Sequence, residues 1–452
     1  MRRQQATTIT QEPEGPEAAL DLSDYIDAVD WLSPVRVTGR VIELVGILVR
    51  ASVPGVRVGE VCVIRSPHQA RGLRAEVVGF KDREAILMPL GELRDVEMGA
   101  EVVPTGAALT VRVGEALLGR VLNGLGEPID GKGPIETWQT YPVGASPPNP
   151  MRRQRVTRML ATGIRAIDGM LAVGEGQRVG IFSAAGVGKS TLLGMLAQKT
   201  EADVNVVALV GERGREVRDF LEQDLGAEGL PRSVIVVATS NEPSLVRQKA
   251  AYVATAIAEY FRDQGKRVLL AMDSITRSAR ALREVGLATG EPPARAGFPP
   301  SVFSELPRLL ERTGNSDRGS ITAFYTILVE ADDMNEPIAD EVRSILDGHI
   351  VLSRSLAALN HYPAIDVGQS VSRVMSMVAA ADHVEAARRV RDVLATYEAQ
   401  KDFILIGAYK KGSDPRTDYA ISRIDMINAF LRQAVQESSP LGATRARLQS
   451  LV

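Results

Sequence analysis

The sequence is short of cysteine, of aromatics and of excess charge. One cysteine, Cys62, stands in 452 residues, so no disulfide can form within the chain and a reducing compartment is the simplest setting. In the apolar alternating run EVCVIRS it reads as a core thiol rather than a nucleophile. Aromatics make up 4% and the net charge is −3, so the basic, aromatic-rich footprint of nucleic-acid binding is missing and no specific nucleic-acid partner is expected. Long hydrophobic runs are missing too. VNVVALVG and RVLLAM fall far short of the roughly 20 residues that span a bilayer. The two N-terminal arginines have no apolar stretch behind them, which excludes a standard secretory signal. These absences predict a cytoplasmic protein that reaches a membrane only by docking on it.

What is present is ordinary globular material, 45% hydrophobic and 24% charged. Single cores rarely grow past roughly 250–300 residues, so two or three domains are expected. Residues 1–20 are polar and predicted mobile. Leu22, Tyr25, Ile26, Val29 and Leu32 then fall on one helical face, opposite Asp21, Asp24, Asp27 and Asp30. This helix either packs on its own domain or docks a partner, and residues 1–34 are set apart as a tail with a docking helix. From 35 to 106, short β-branched runs separated by Gly, Pro and charged pairs predict a small closed β-barrel. Its one aromatic, Phe80, and its balanced charges make it a scaffold rather than an RNA reader. LLGRVLNGLGEPIDGKGPI reads as turns and hairpins between domains, and YPVGASPPNPMRR as a proline-rich linker.

The segment 107–373 alternates buried-strand patterns (RVGIFS, VNVVALVG, SVIVVAT, RVLLAMD, SITAFYTIL, GHIVLS) with helical ones such as KSTLLGMLAQK. That predicts an α/β domain with a mainly parallel sheet covered on both faces. Residues 374–452 are predicted to form a small helical domain, with Val390, Val393, Leu394 and Tyr397 on one face.

The chemistry centres on IFSAAGVGKSTLL. It matches the phosphate-binding pattern G-x-x-x-x-G-K-[ST] except that Ser183 replaces the first glycine. It follows a predicted strand and opens a predicted helix, the context the motif needs; a chance glycine-rich turn is the bland alternative. Ala184, Ala185, Gly186, Val187 and Gly188 would turn backbone N–H groups inward around phosphate. Lys189 would meet the β- and γ-phosphates, Ser190 would ligate Mg²⁺, and Thr191 would reach the α-phosphate. Ser183 is tolerable if its φ is negative. About 85 residues on, RVLLAMD ends in Asp273, either a Walker-B carboxylate facing Mg²⁺ or a cap for the next turn. VALVGERGREVRDF places Glu212 past another strand end, either to polarise the attacking water or to pair at the surface with Arg213 or Arg215.

GERGREVRDF, DDMNEPIADEVRSILDGHIVLSR and NHYPAIDVGQSVSRVM together resemble the type III secretion export ATPases, from about residue 35 to the end. That family includes injectisome and flagellar members and is related to the rotary ATP synthase α and β subunits. The resemblance implies a RecA-like P-loop NTPase fold and ATP with Mg²⁺. It makes Glu212 the catalytic glutamate and gives Arg213 a supporting role at that carboxylate or the γ-phosphate. Arg373 becomes an arginine finger delivered in trans, against its bland reading as a surface arginine, and Tyr362 packs on adenine. A second adenine contact cannot be placed. The resemblance further implies a homohexamer at the cytoplasmic face of the inner membrane, with a central stalk protein, a regulator on the N-terminal segment, an export gate, and chaperone–substrate complexes as cargo. LPRLLERTGNSDRGSITAFYTILVEADDMNEP leans toward the injectisome branch. The flagellar export ATPase is the alternative, followed by a rotary catalytic subunit and a Rho-like RNA translocase.

Overall fold

Alternating β-branched residues build the first domain. The computed structural model describes residues 37–66, 72–330 and 333–451, so the N-terminal tail and the amphipathic segment at 22–32 lie outside the described residues. Strands β1 (Gly39–Val45), β2 (Leu48–Ser52), β3 (Glu60–Arg65), β4 (Leu73–Lys81), β5 (Glu84–Pro89) and β6 (Glu101–Ala108) close as β1-β2-β5-β4-β3-β6. Val49, Cys62, Ile64, Val77, Leu87 and Val102 fill the interior. Burial pushes the Cys62 thiol up to about 11, which makes it a core residue and a poor nucleophile.

The central sheet is built from β7 (Arg120–Asn123), β8 (Arg178–Ser183), β9 (Val204–Val210), β10 (Ser233–Ala238), β11 (Arg267–Asp273), β12 (Ser320–Leu328), β13 (Gly348–Leu352) and β14 (Val371–Ser372). Their order is β14-β13-β8-β12-β11-β9-β10-β7, all parallel except β14. The strands are apolar on both sides because helices cover both faces. α1 (Lys189–Lys199) packs with Val207 and Leu209 on one face, and α2 (Ser244–Asp263) with Val206 and Ala208 on the other. The glycine-rich stretch read above as turns and hairpins holds β7, the edge strand beside β10. Only four residues long, it lacks a run long enough to show a period.

A buried ion pair ties down the start of the proline-rich segment YPVGASPPNPMRR. Arg312 Nη2 and Nε meet Glu259 Oε2 and Oε1 at 2.5 and 3.0 Å, and Arg312 Nη1 donates to Val143 O at 2.6 Å. Helices α3 (Ile275–Ala288) and α4 (Pro300–Leu310) follow β11, and α5 (Ala381–Leu405), α6 (Pro415–Leu431) and α7 (Leu441–Ser450) form the C-terminal part. The tail after α6 is fastened to the sheet domain. Gln433 Nε2 donates to Gly163 O at 2.8 Å and its Oε1 accepts from Arg165 N at 2.8 Å, while Lys199 Nζ at the end of α1 donates to Val435 O and Glu437 O. Among the described residues, no helix is long and apolar enough to cross a membrane.

Candidate active site

The C-terminal ends of parallel strands are where such sheets gather ligands, and the candidate groups collect there. β8 ends at Ser183, level with Leu328 of β12 and Leu352 of β13. Ser183 is fully buried and is not among the residues with positive φ, so a side chain there meets no backbone penalty. The wrap comes later, at Gly186 and Gly188, with φ of 81° and 88°, a region that glycine enters without cost. Gly188 caps α1, so the free N–H groups of the first turn and the helix dipole face the loop. Ala184 and Val187 are buried beneath it, Ala185 and Ser190 are exposed, and Thr191 meets Asp224.

Three strand ends converge on Lys189. Its Nζ lies 2.5 Å from Asp273 Oδ1 at the end of β11 and 3.8 Å from Glu212 Oε1, just past β9. Both carboxylates are nearly inaccessible, at 2% and 7% exposure. Asp273 is not the cap of the following helix: Ser274 takes that role, its Oγ accepting from Arg277 N. Nor is Glu212 a surface partner of Arg213 or Arg215. It faces Arg277, whose Nε lies 3.0 Å from Oε1, and Arg277 can lie close because Gly211 has no Cβ to obstruct it. Burial first, then the Asp273 charge and a hydrogen bond with Glu216, push the Glu212 carboxyl up to about 7, against the pull of Lys189 and Arg277.

Other candidate residues stand apart from this cluster. Arg213 is exposed and pairs with Glu216 at 3.4 Å. Tyr362 is half-exposed and lies along the loop: a Cβ on Gly188 would sit 3.5 Å from its ring. Arg373 is not brought to Lys189. Its N–H bonds Asp347 O at the start of β13, beside Arg178, and its guanidinium reaches Arg343 O. Arg178 opens β8 and Ser183 closes it, so Arg373 sits about 16 Å below the loop along the strand.

The donor set suits Mg²⁺. Among the described residues no group of three or more His, Cys, Asp or Glu could cage a metal. Mg²⁺ needs no cage, since it keeps water and substrate oxygens and takes only one or two protein ligands; a buried carboxylate at Asp273 and a hydroxyl at Ser190 fit that habit. Two further groups escaped the sequence reading. Arg277 is four residues past Asp273 in DSITR, and that spacing was the available signal. Thr326, which donates to Asp273 Oδ1 at 2.8 Å, left no local signal because it arrives from another strand.

Comparison with known proteins matches three stretches of the chain to known domain families. Residues 35–106 match the ATP synthase alpha/beta family β-barrel domain, 163–372 its nucleotide-binding domain, and 379–450 the T3SS EscN ATPase C-terminal domain. The Type 3 secretion system ATPase of Xanthomonas euvesicatoria is 56% identical over 91% of this chain and 93% of its own length. The Flagellum-specific ATP synthase of Bacillus subtilis (strain 168) is 51% identical, covering 94% and 98%. Among solved structures, the assembled ATPase EscN from the enteropathogenic E. coli type III secretion system matches with a TM-score of 0.87 and 48% identity, over 91% of this chain and 99% of that one. EscN in complex with its central stalk EscO matches at 0.85 and 47%, with the same coverage.

Proposed function

The chain belongs to the family of type III secretion and flagellar export ATPases, and we propose that it hydrolyses ATP to ADP and phosphate to energise protein export. The observation that carries this is the convergence of Lys189, Glu212 and Asp273 at the C-terminal ends of β8, β9 and β11, beside a phosphate loop. In our reading, Ala184 to Gly188 cradle the phosphates through backbone N–H groups and Lys189 leaves Asp273 to meet the β- and γ-phosphates. Thr191 turns to the α-phosphate and Tyr362 flanks the adenine. Glu212, held in place by Arg277, orients a water molecule. The water oxygen bonds to the γ-phosphorus, the bond to the ADP oxygen breaks, and the water proton passes to the Glu212 carboxylate. Ser190 and Asp273 would hold Mg²⁺, which neutralises phosphate charge when bound. Arg213 moves from Glu216 to support the Glu212 carboxylate or the γ-phosphate.

Arg373 acts on a neighbour. Its distance from its own loop supports delivery in trans, where an arginine finger is worth roughly 10³–10⁵ in rate. A chain with a loop on one side and a finger on the other closes on itself through a head-to-tail interface, and the assembled EscN supports a homohexameric ring here. The stalk-bound EscN structure supports a central stalk partner. We further assign a regulator to the N-terminal segment, docking at an export gate on the cytoplasmic face of the inner membrane, and release and unfolding of cargo from chaperones. The divisions at 34, 106 and 373 mark tail, barrel, ATPase and helical parts. Within the family we favour the injectisome branch, on the wording around 306–337; the Xanthomonas relative at 56% and a flagellar relative from Treponema pallidum at 55% do not separate the two by identity. The reading is tested by Lys189→Ala, which removes the phosphate-facing charge. Hydrolysis should fall to background, and near-normal turnover by that variant would refute the assignment.

A further inference from the structure

β12 lies between β8 and β11, so its side chains run beneath the site from phosphate loop to Asp273. Thr326 on this strand is fully buried. At such a position valine, its isostere, would satisfy both burial and strand preference. A buried hydroxyl needs a partner, and this one has a specific partner: Oγ1 donates to Asp273 Oδ1 at 2.8 Å, with Met272 O more distant at 3.3 Å. Asp273 Oδ1 therefore receives two donors, Thr326 and Lys189.

The two donors differ in mobility. Lys189 carries its charge on a flexible stem and is the group that incoming phosphates attract. Thr326 is β-branched, stiff at χ1, and seated in a central strand paired on both sides. We propose that Thr326 is a positioning residue: it keeps the Asp273 carboxylate aimed at the nucleotide-bound divalent cation once Lys189 has left for the phosphates. The inference rests on the reading of Asp273 as the cation-side carboxylate. Partners that orient a metal-side ligand in this way are typically worth about 10–100-fold in metal affinity.

The test uses the full chain carrying Thr326→Val, Thr326→Ala and Thr326→Ser, with Asp273→Asn for comparison. A fluorescent ATP analogue is titrated with and without Mg²⁺, Mg²⁺ is titrated in the hydrolysis assay at fixed ATP, and thermal melting is recorded for each variant. For Thr326→Val and Thr326→Ala the metal-dependent gain in nucleotide affinity should shrink about tenfold and half-saturating Mg²⁺ should rise by a similar factor. Metal-free binding should stay put, and Thr326→Ser should recover most of the loss. Thr326→Ala reports even if valine packs poorly. Variants that melt earlier but keep the parental Mg²⁺ response would reduce Thr326 to a packing residue and overturn the proposal. If Asp273→Asn also keeps that response, the reading of Asp273 itself fails; if only Asp273→Asn loses it, the Thr326 inference alone falls.

Discussion

Lys189 Nζ and Asp273 Oδ1 are 2.5 Å apart, so the lysine we assign to a triphosphate rests on the carboxylate we assign to its cation. Each group neutralises the other in a site almost closed to water, where an uncompensated charge would be costly. In the proposed reaction, binding a nucleotide with its cation replaces one pairing by two. The resting ion pair thereby keeps the site formed while holding both charges ready.

Glu212 sets a pH limit. Its carboxyl is held at about 7, chiefly by burial. As a base it works only when deprotonated, so kcat/KM should rise with pH through an apparent value near 7, level off above it, and fall about tenfold per unit below it. Glu212→Gln should bind nucleotide and turn over at background at every pH. An acid limb near 4.5, the ordinary glutamate value, would contradict this environment for the working enzyme.

Arg373 and Lys189 should complement each other across subunits. Arg373→Ala alone should bind nucleotide yet lose hydrolysis, and Lys189→Ala alone should be inactive. In mixed rings, an interface pairing an intact loop with an intact finger arises by chance at roughly a quarter of positions. Equal mixing followed by reassembly should therefore restore activity well above either parent. A mixture no better than its components would argue that the finger is not shared.

The buried pair Arg312–Glu259 carries a stability prediction. Their side chains are 1% and 5% exposed. Glu259→Ala leaves a guanidinium buried without its carboxylate and should cost about 3–5 kcal/mol, measured by urea unfolding. Replacing both residues with methionine should recover much of that loss, because the uncompensated charge goes too.

Local patterns made much of this molecule legible. The barrel and six of the central strands announce themselves by period or by apolar runs. Gly186, Gly188 and Lys189 lie within four residues of one another, so a short motif contains them. What the chain hides is whatever the sheet order assembles. Thr326 reaches Asp273 because β12 is β11's neighbour, and nothing near position 326 points to position 273. Arg277 sat in view but looked like any helix-opening arginine until Glu212 was placed beside it. β7 was obscured by the glycines around it, and the pairing of Arg213 with Glu216 left no signal of its own in a segment so rich in charged residues.

The fastening of the tail to α1 has a mechanical meaning. This helix is about 16 Å long, with Lys189, paired with Asp273, at one end and Lys199, tethered to Val435 and Glu437, at the other. A stiff helix that translates along its axis carries both of its ends with it. In the proposed cycle, an axial displacement of the helix on triphosphate binding or phosphate release would be handed on to the segment that leads out of α6, which would make the C-terminal helices the output arm of a lever.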